Sequence, residues 1–220
     1  MGNNFIATGT RAAKFGFKTR GGFSQRVIHC SKINVMNLAI IEYDTRAHDF
    51  RTWASSVLGF ESLENIHERA DLKIYSNVIA QINACRSELN KGFRYCKPIY
   101  MDFIQSIIAP RYHGINSYQI PPSFCLHFSG EGSSPFHRDR DCRINSAYLN
   151  VWIPLTRVWG ANSIWIESED GTADFSPVEL EYGQALIFDG PNLRHGSVLN
   201  DTPCTRVSMD FRFAPCRVRE

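Results

Sequence analysis

Residues 185–199 read Ala185-Leu186-Ile187-Phe188-Asp189-Gly190-Pro191-Asn192-Leu193-Arg194-His195-Gly196-Ser197-Val198-Leu199. Residues 206–213 read Arg206-Val207-Ser208-Met209-Asp210-Phe211-Arg212-Phe213. Three short apolar runs, 185–188, 195–199 and 206–213, are separated by Asp189-Gly190-Pro191 and by Asn200-Asp201-Thr202-Pro203. Runs this short between turn-forming residues predict β-strands rather than helices. In an extended chain alternate residues point the same way, so His195 shares a face with Ser197, and Arg206 with Ser208.

The same texture extends back to about Gly114. Residues 123–128, 146–154 and 162–166 are further expected strands, with Ser129-Gly130-Glu131-Gly132 and Asp170-Gly171 as turns. Before that point the period changes. Phe50, Trp53, Val57 and Leu58 recur at helical spacing, as do Leu72, Tyr75, Val78, Ile79, Ile82, Cys85 and Leu89. Gly92 is the expected stop of this second helix, and a third starts near Pro98, passes Phe103, Ile104 and Ile107, and ends at Pro110. Helices followed by many short strands predict an α+β chain with a mainly β core, an antiparallel sandwich or barrel with helices outside it.

The chain has 220 residues, 43% hydrophobic and 21% charged, enough for one domain with a sizeable core. We therefore expect a single domain over 1–220: an arm or lid over 1–41, a helical part over 42–113 and the β core over 114–220. The arm carries Arg11, Lys14, Lys18, Arg20, Arg26 and Lys32 and no acid before Glu42. No apolar run reaches the roughly 18 residues of a membrane helix, so no membrane association is expected. A net charge of +2 is too balanced to suggest nucleic acid as a partner. Seven scattered cysteines without a Cys-x-x-Cys pair suit reduced thiols and a cytoplasmic location.

The chemistry-bearing cluster is Pro135-Phe136-His137-Arg138-Asp139. The triplet His137-Arg138-Asp139 also occurs in kinase catalytic loops, but the required Asn five residues on is Ile144 and no G-x-G-x-x-G loop precedes it. Alone, His137 reads as a surface histidine, and Arg206 as a strand arginine paired with Asp210 or Glu181. Taken together they read differently. His137 and Asp139 can grip one metal ion, with His195 as third ligand, leaving one octahedral face open as in non-haem Fe(II) oxygenases. A 2-oxo acid and O2 fill that face. Arg206, 11 residues after His195, can take the far carboxylate as a planar fork, with Ser208 and Ser197 beside it.

These segments resemble the Fe(II)/2-oxoglutarate-dependent oxygenases, in particular a group related to a streptomycin-biosynthesis oxygenase and, more distantly, to phytanoyl-CoA hydroxylase. The resembling text is 136–141, 149–156, 160–168, 190–196 and 205–213, within about Tyr118 to Phe213; the first hundred residues are only loosely alike. The resemblance implies a double-stranded β-helix, or jelly roll. It implies His137, Asp139 and His195 as iron ligands and Arg206 as anchor of 2-oxoglutarate, supported by Ser197. Trp152 would pack beside the cosubstrate, Ser208 fits an Arg-x-Ser pattern, and Asn150 and Asn162 would line the pocket. Related halogenases lack the carboxylate, so Asp139 favours hydroxylation. The implied reaction oxidises an unactivated C–H bond while 2-oxoglutarate becomes succinate and CO2.

Gln119, His127, Arg138, Arg140, Asp141, Arg143, Asn145, Asn192 and Arg194 would surround the pocket mouth, favouring a polar, anionic or zwitterionic small-molecule substrate over a fatty chain, and the resemblance implies specialised metabolism. A solvated rim is the equal alternative. A cupin-like isomerase or lyase, or an oxygenase without 2-oxoglutarate, remains the competing function. The sequence does not specify the substrate or oligomeric state.

Overall fold

The computed structural model describes residues 5–7, 38–132 and 134–216. Its strands are β1 (Phe5–Ala7), β2 (Leu38–Glu42), β3 (Ile115–Gln119), β4 (Ser123–His127), β5 (Leu149–Pro154), β6 (Trp165–Ile166), β7 (Ser176–Pro177), β8 (Gln184–Phe188), β9 (His195–Gly196) and β10 (Arg206–Pro215). Two α-helices, α1 (Phe50–Leu58) and α2 (Val78–Phe103), precede β3. The protein is α+β and its pairings are antiparallel. Residues 8–37, most of the expected basic arm, lie outside the described residues; 38–41 belong to β2, an outer strand of the large sheet.

A seven-stranded sheet runs β1-β3-β10-β5-β8-β2, with β4 also on β10; a second sheet runs β7-β6-β9. Among the described residues the two sheets do not close into one barrel. Strand β10 is the spine. Its N-terminal half pairs with β4, its C-terminal end with β3, and its other edge with β5.

Alternation along the central strands divides the interior in two. Val207, Met209, Phe211 and Phe213, with Val151, Ile153, Ala185 and Ile187, face α1 and α2 in the main core. Trp152, Leu186 and Phe188 point the other way, packing with Val158, Ile164, Ile166, Leu180 and Leu193. The even-numbered positions of β10 also face this second side, and they are polar: Arg206, Ser208, Asp210 and Arg212. The apolar face holds the helices, and the polar face is left to chemistry.

Asp49 caps α1 by accepting from the Thr52 N–H at 3.0 Å, and Asn77 caps α2 through Ala80 N at 2.9 Å. The expected break at Gly92 does not occur, nor does a new helix start at Pro98; α2 runs through both. Gly92 is instead where α1 approaches: a Cβ there would meet Val57 Cγ2 at 2.6 Å. The missing side chain serves helix contact, so the helix continues. The expected strands at 146, 162 and 195–199 begin later or end sooner, at Leu149, Trp165 and Gly196, because backbone pairing is confined to those residues. Strand β3 was not expected, since Asn116, Ser117 and Gln119 mask its period.

Candidate metal centre

His137 and His195 are brought together by backbone. They form an antiparallel bridge, with N–O distances of 3.0 and 2.9 Å in the two directions. Each histidine Nδ1 lies 2.9 Å from the carbonyl oxygen two residues earlier, Pro135 and Leu193 respectively. A carbonyl can only accept, so each Nδ1–H donates and each Nε2 keeps its lone pair free for a cation. Burial lowers the His195 pKa, which favours the neutral, ligating form.

Asp139 is held to the same point by its own N–H, which donates to Gly190 O at 3.0 Å. Its Oδ1 lies 3.7 Å from His137 Nε2 and 4.0 Å from His195 Nε2. One ligand atom from each of the three residues falls within 4.8 Å of the others. Its Oδ2 is turned away and accepts from Arg212 Nε at 2.7 Å and Asn150 Nδ2 at 2.8 Å, while Arg212 Nη2 reaches Oδ1 at 2.8 Å. The carboxylate is 1% exposed. Burial works to raise its pKa, but His137, Arg212 and Asn150 outweigh that and hold it well below the usual carboxylate range. Two imidazoles with free Nε2 atoms and one pinned carboxylate suit a first-row divalent metal.

Arg212 escaped the sequence reading. The signal was available: Arg206 and Ser208 share a face, and two further steps of the same alternation reach Asp210 and Arg212. Glu167 was also missed. It is fully buried and accepts from the Arg194 N–H at 2.6 Å and from the Gly171 and Ala173 N–H groups at 3.2 Å, fixing the loop beside His195.

Farther along β10, Arg206 is 5% exposed, and no carboxylate lies within ion-pair distance among the described residues. Neither suggested partner holds it; Glu181 pairs with Arg157. Arg206 donates to Asn162 O at 3.1 Å and Ser197 Oγ at 3.2 Å, and its Cζ sits 5.7 Å from the Trp152 ring centre. Arg206 Nε and Asn162 Nδ2 are buried donors without an acceptor among the described residues. Burial brings the Arg206 pKa down to about 10. His127, directly across on β4, is pushed down to about 4 by burial and by Arg206. Ser208 faces the same side, with Oγ 3.5 Å from Cys125 O.

The remaining expected residues divide. Gln119 joins the Asp139 group through Arg212 Nη1 at 3.4 Å. Arg140 is turned onto Asp170 and Asn192, and Arg138 also onto Asp170 at 2.8 Å. Asp141 is solvent-exposed. Arg138 and Arg140 are thus paired within the protein.

Two predictions arise here. A Cβ at Gly190 would lie 2.4 Å from Asn150 Nδ2. Gly190→Ala should displace that amide from Asp139 and weaken divalent-metal affinity by roughly 10-fold, measured by calorimetric titration. The second concerns Asp210, whose carboxyl burial pushes up to about 6. A carboxyl raised above its unfolded value contributes stability below about pH 4, lost as pH rises through about 6. Asp210→Asn should thus exceed the parent in stability at pH 8 by on the order of 1–3 kcal/mol, a gap that closes by pH 4, as read by urea unfolding.

An α+β protein that aims two imidazoles and a carboxylate at one point, beside a second buried cationic pocket, is of the candidate metalloenzyme class. No protein-family model matches the chain. Streptomycin biosynthesis protein StrG of Streptomyces griseus is 31% identical over 176 residues, covering 80% of this chain and 83% of that one. The chain belongs to the StrG family. Among solved structures, apo ThoJ, a non-heme monooxygenase, is 15% identical over 75% of this chain and 70% of its own, with a TM-score of 0.45. AviO1 from Streptomyces viridochromogenes Tue57 is 20% identical over 51% and 57%, with a TM-score of 0.38. Both are partial likenesses. Among the described residues no helix is long and apolar enough to cross a membrane.

Proposed function

We propose that the protein is a cytoplasmic non-haem Fe(II)/2-oxoglutarate-dependent oxygenase that hydroxylates a C–H bond of a polar small molecule in specialised metabolism. The two sheets would be the faces of a single jelly-roll domain over 1–220. One observation carries the reading: the pinned His137–Asp139–His195 group shares the polar interior with a buried arginine that has no counter-anion among the described residues. A metal site alone would suit a cupin-like isomerase or lyase. A buried guanidinium aimed at no carboxylate calls for an anionic ligand as well. The name of the StrG relative favours specialised metabolism.

His137 Nε2, His195 Nε2 and Asp139 Oδ1 would hold the iron. When bound, Fe(II) supplies O2 activation, with 2-oxoglutarate as the two-electron reductant: substrate, 2-oxoglutarate and O2 become hydroxylated substrate, succinate and CO2. The chain's own share is placement. Arg206, with Ser197, grips the far carboxylate of the cosubstrate, and its planar fork fixes direction as well as charge. Trp152 covers the Arg206 end and Phe188 packs on the His195 ring at the metal end, both from the second apolar cluster. Arg212 and Asn150 tie up Oδ2, so Asp139 offers one oxygen and leaves the other coordination positions open. The Pro135 and Leu193 carbonyls lock both imidazoles in the ligating tautomer.

The test is succinate formation by the full chain with Fe(II) and O2. The reading expects succinate equal to O2 consumed, and none without 2-oxoglutarate. O2 uptake that ignores 2-oxoglutarate would establish the competing oxygenase chemistry instead.

A further inference from the structure

Asp210 sits on the polar face of β10 between Ser208 and Arg212, across from Trp152 on β5 and Ser123 on β4. Alternate strand residues are about 7 Å apart, so Asp210 lies one step from the arginine that clamps the metal carboxylate. Among the described residues its hydrogen-bond donor is a thiol, Cys125 Sγ at 3.6 Å. It makes no ion pair there, although cations surround it. Arg212 is committed to Asp139. Arg206 donates to Asn162 and Ser197. Arg86, from α2, donates to Phe124 O at 2.8 Å and approaches the Cys125 thiol at 3.8 Å. At the rim, Arg138 and Arg140 share Asp170, and Arg138 Nε also lies 3.7 Å from Glu167 Oε1. One acceptor on the same face is also orphaned: Asn150 Oδ1, on the strand beside β10, is buried without a donor.

We propose that Asp210 anchors the substrate and that the substrate carries a cationic nitrogen, an ammonium or guanidinium group. The inference rests on the oxygenase reading and adds the substrate's charge to it. A cationic group that only donates matches a carboxylate whose one donor is a weak thiol and an amide oxygen that has none, whereas an anionic substrate would meet Asp210 as a like charge. Arg138 and Arg140, being paired, do not select for an anion. A carboxylate kept unpaired in a site costs the fold, a pattern found where a residue is held for a ligand.

The experiment loads the full chain anaerobically with Fe(II) and 2-oxoglutarate, records the visible charge-transfer band, and then follows succinate formation in air. The probes are matched amine and hydroxyl pairs: amino sugars against sugars, aminocyclitols against cyclitols, and diamines against amino alcohols and diols, with carboxylic acids as a third set. The expected triggers carry a cationic nitrogen, and their hydroxyl counterparts act at least ~10-fold more weakly. Asp210→Asn should lower kcat/KM for the amine by roughly 100-fold, with metal loading and 2-oxoglutarate binding retained, and Asp210→Glu should recover part of the loss. Neutral or acidic triggers, amines that serve Asp210→Asn equally well, or a normal band with no amine active would each overturn the assignment. Absence of the band in the parent protein would instead remove the oxygenase reading beneath it.

Discussion

Arg206→Ala should weaken 2-oxoglutarate binding by about 100- to 1,000-fold while leaving the ligand-free protein as stable as its parent, or more so. The two halves have one cause. Removing one partner of a buried, hydrogen-bonded charge pair costs on the order of 2–5 kcal/mol, which sets the affinity loss. Among the described residues of the ligand-free chain there is no such partner. Arg206 has an unpartnered Nε, is 5% exposed, and has no carboxylate in ion-pair range among the described residues. Its burial is a cost that the ligand offsets. A structural arginine would behave oppositely, with lost stability and unchanged affinity. Equilibrium binding of 2-oxoglutarate to the Fe(II)-loaded protein, with a parallel denaturant titration, separates the two.

Asp139→Ala should abolish stoichiometric Fe(II) binding and also destabilise the chain by about 3 kcal/mol, because Arg212 then loses its ion-pair partner and is left as a part-buried cation with only the more distant Asp210 charge nearby. Adding Arg212→Gln to Asp139→Ala should restore most of that stability but none of the metal binding. Arg212→Gln alone should keep the three ligands and lose roughly 10- to 100-fold in metal affinity, since the guanidinium fixes which oxygen faces the histidines. Calorimetric titration with Fe(II) and denaturant melts of the three variants complete the cycle. Equal metal affinity in the parent and Asp139→Ala would show that the carboxylate is not a ligand.

The chain order His137, Asp139, His195, Arg206 was legible because each residue lies on or beside a short run bounded by Gly, Pro or Asp. Period two along residues 206–213 placed Arg206 and Ser208 on one face, and β10 keeps them there. The same rule carried two steps on reaches Asp210 and Arg212; Asp210 enters the reading only as a possible partner of Arg206, and Arg212 has no role in it. Gly92 and Pro98 misled for a different reason. Local propensity disfavours both in a helix, but the contact of Val57 with bare backbone at Gly92 is tertiary and invisible to periodicity. Glu167 could not be read at all. Its role is to gather three backbone N–H groups from two loops, and nothing in Ile166-Glu167-Ser168 encodes those partners. The pairing of Arg138 and Arg140 with Asp170 was likewise beyond reach, and it changes the expected charge of the ligand.

The most direct measurement is the visible absorption of the full chain titrated anaerobically with Fe(II) and then 2-oxoglutarate. If the two imidazoles, the single carboxylate oxygen and the interior guanidinium act together, one equivalent of each produces a charge-transfer band in the parent, and Arg206→Ala requires far more 2-oxoglutarate to reach it. A parent protein that binds Fe(II) yet develops no band at saturating 2-oxoglutarate would contradict that account.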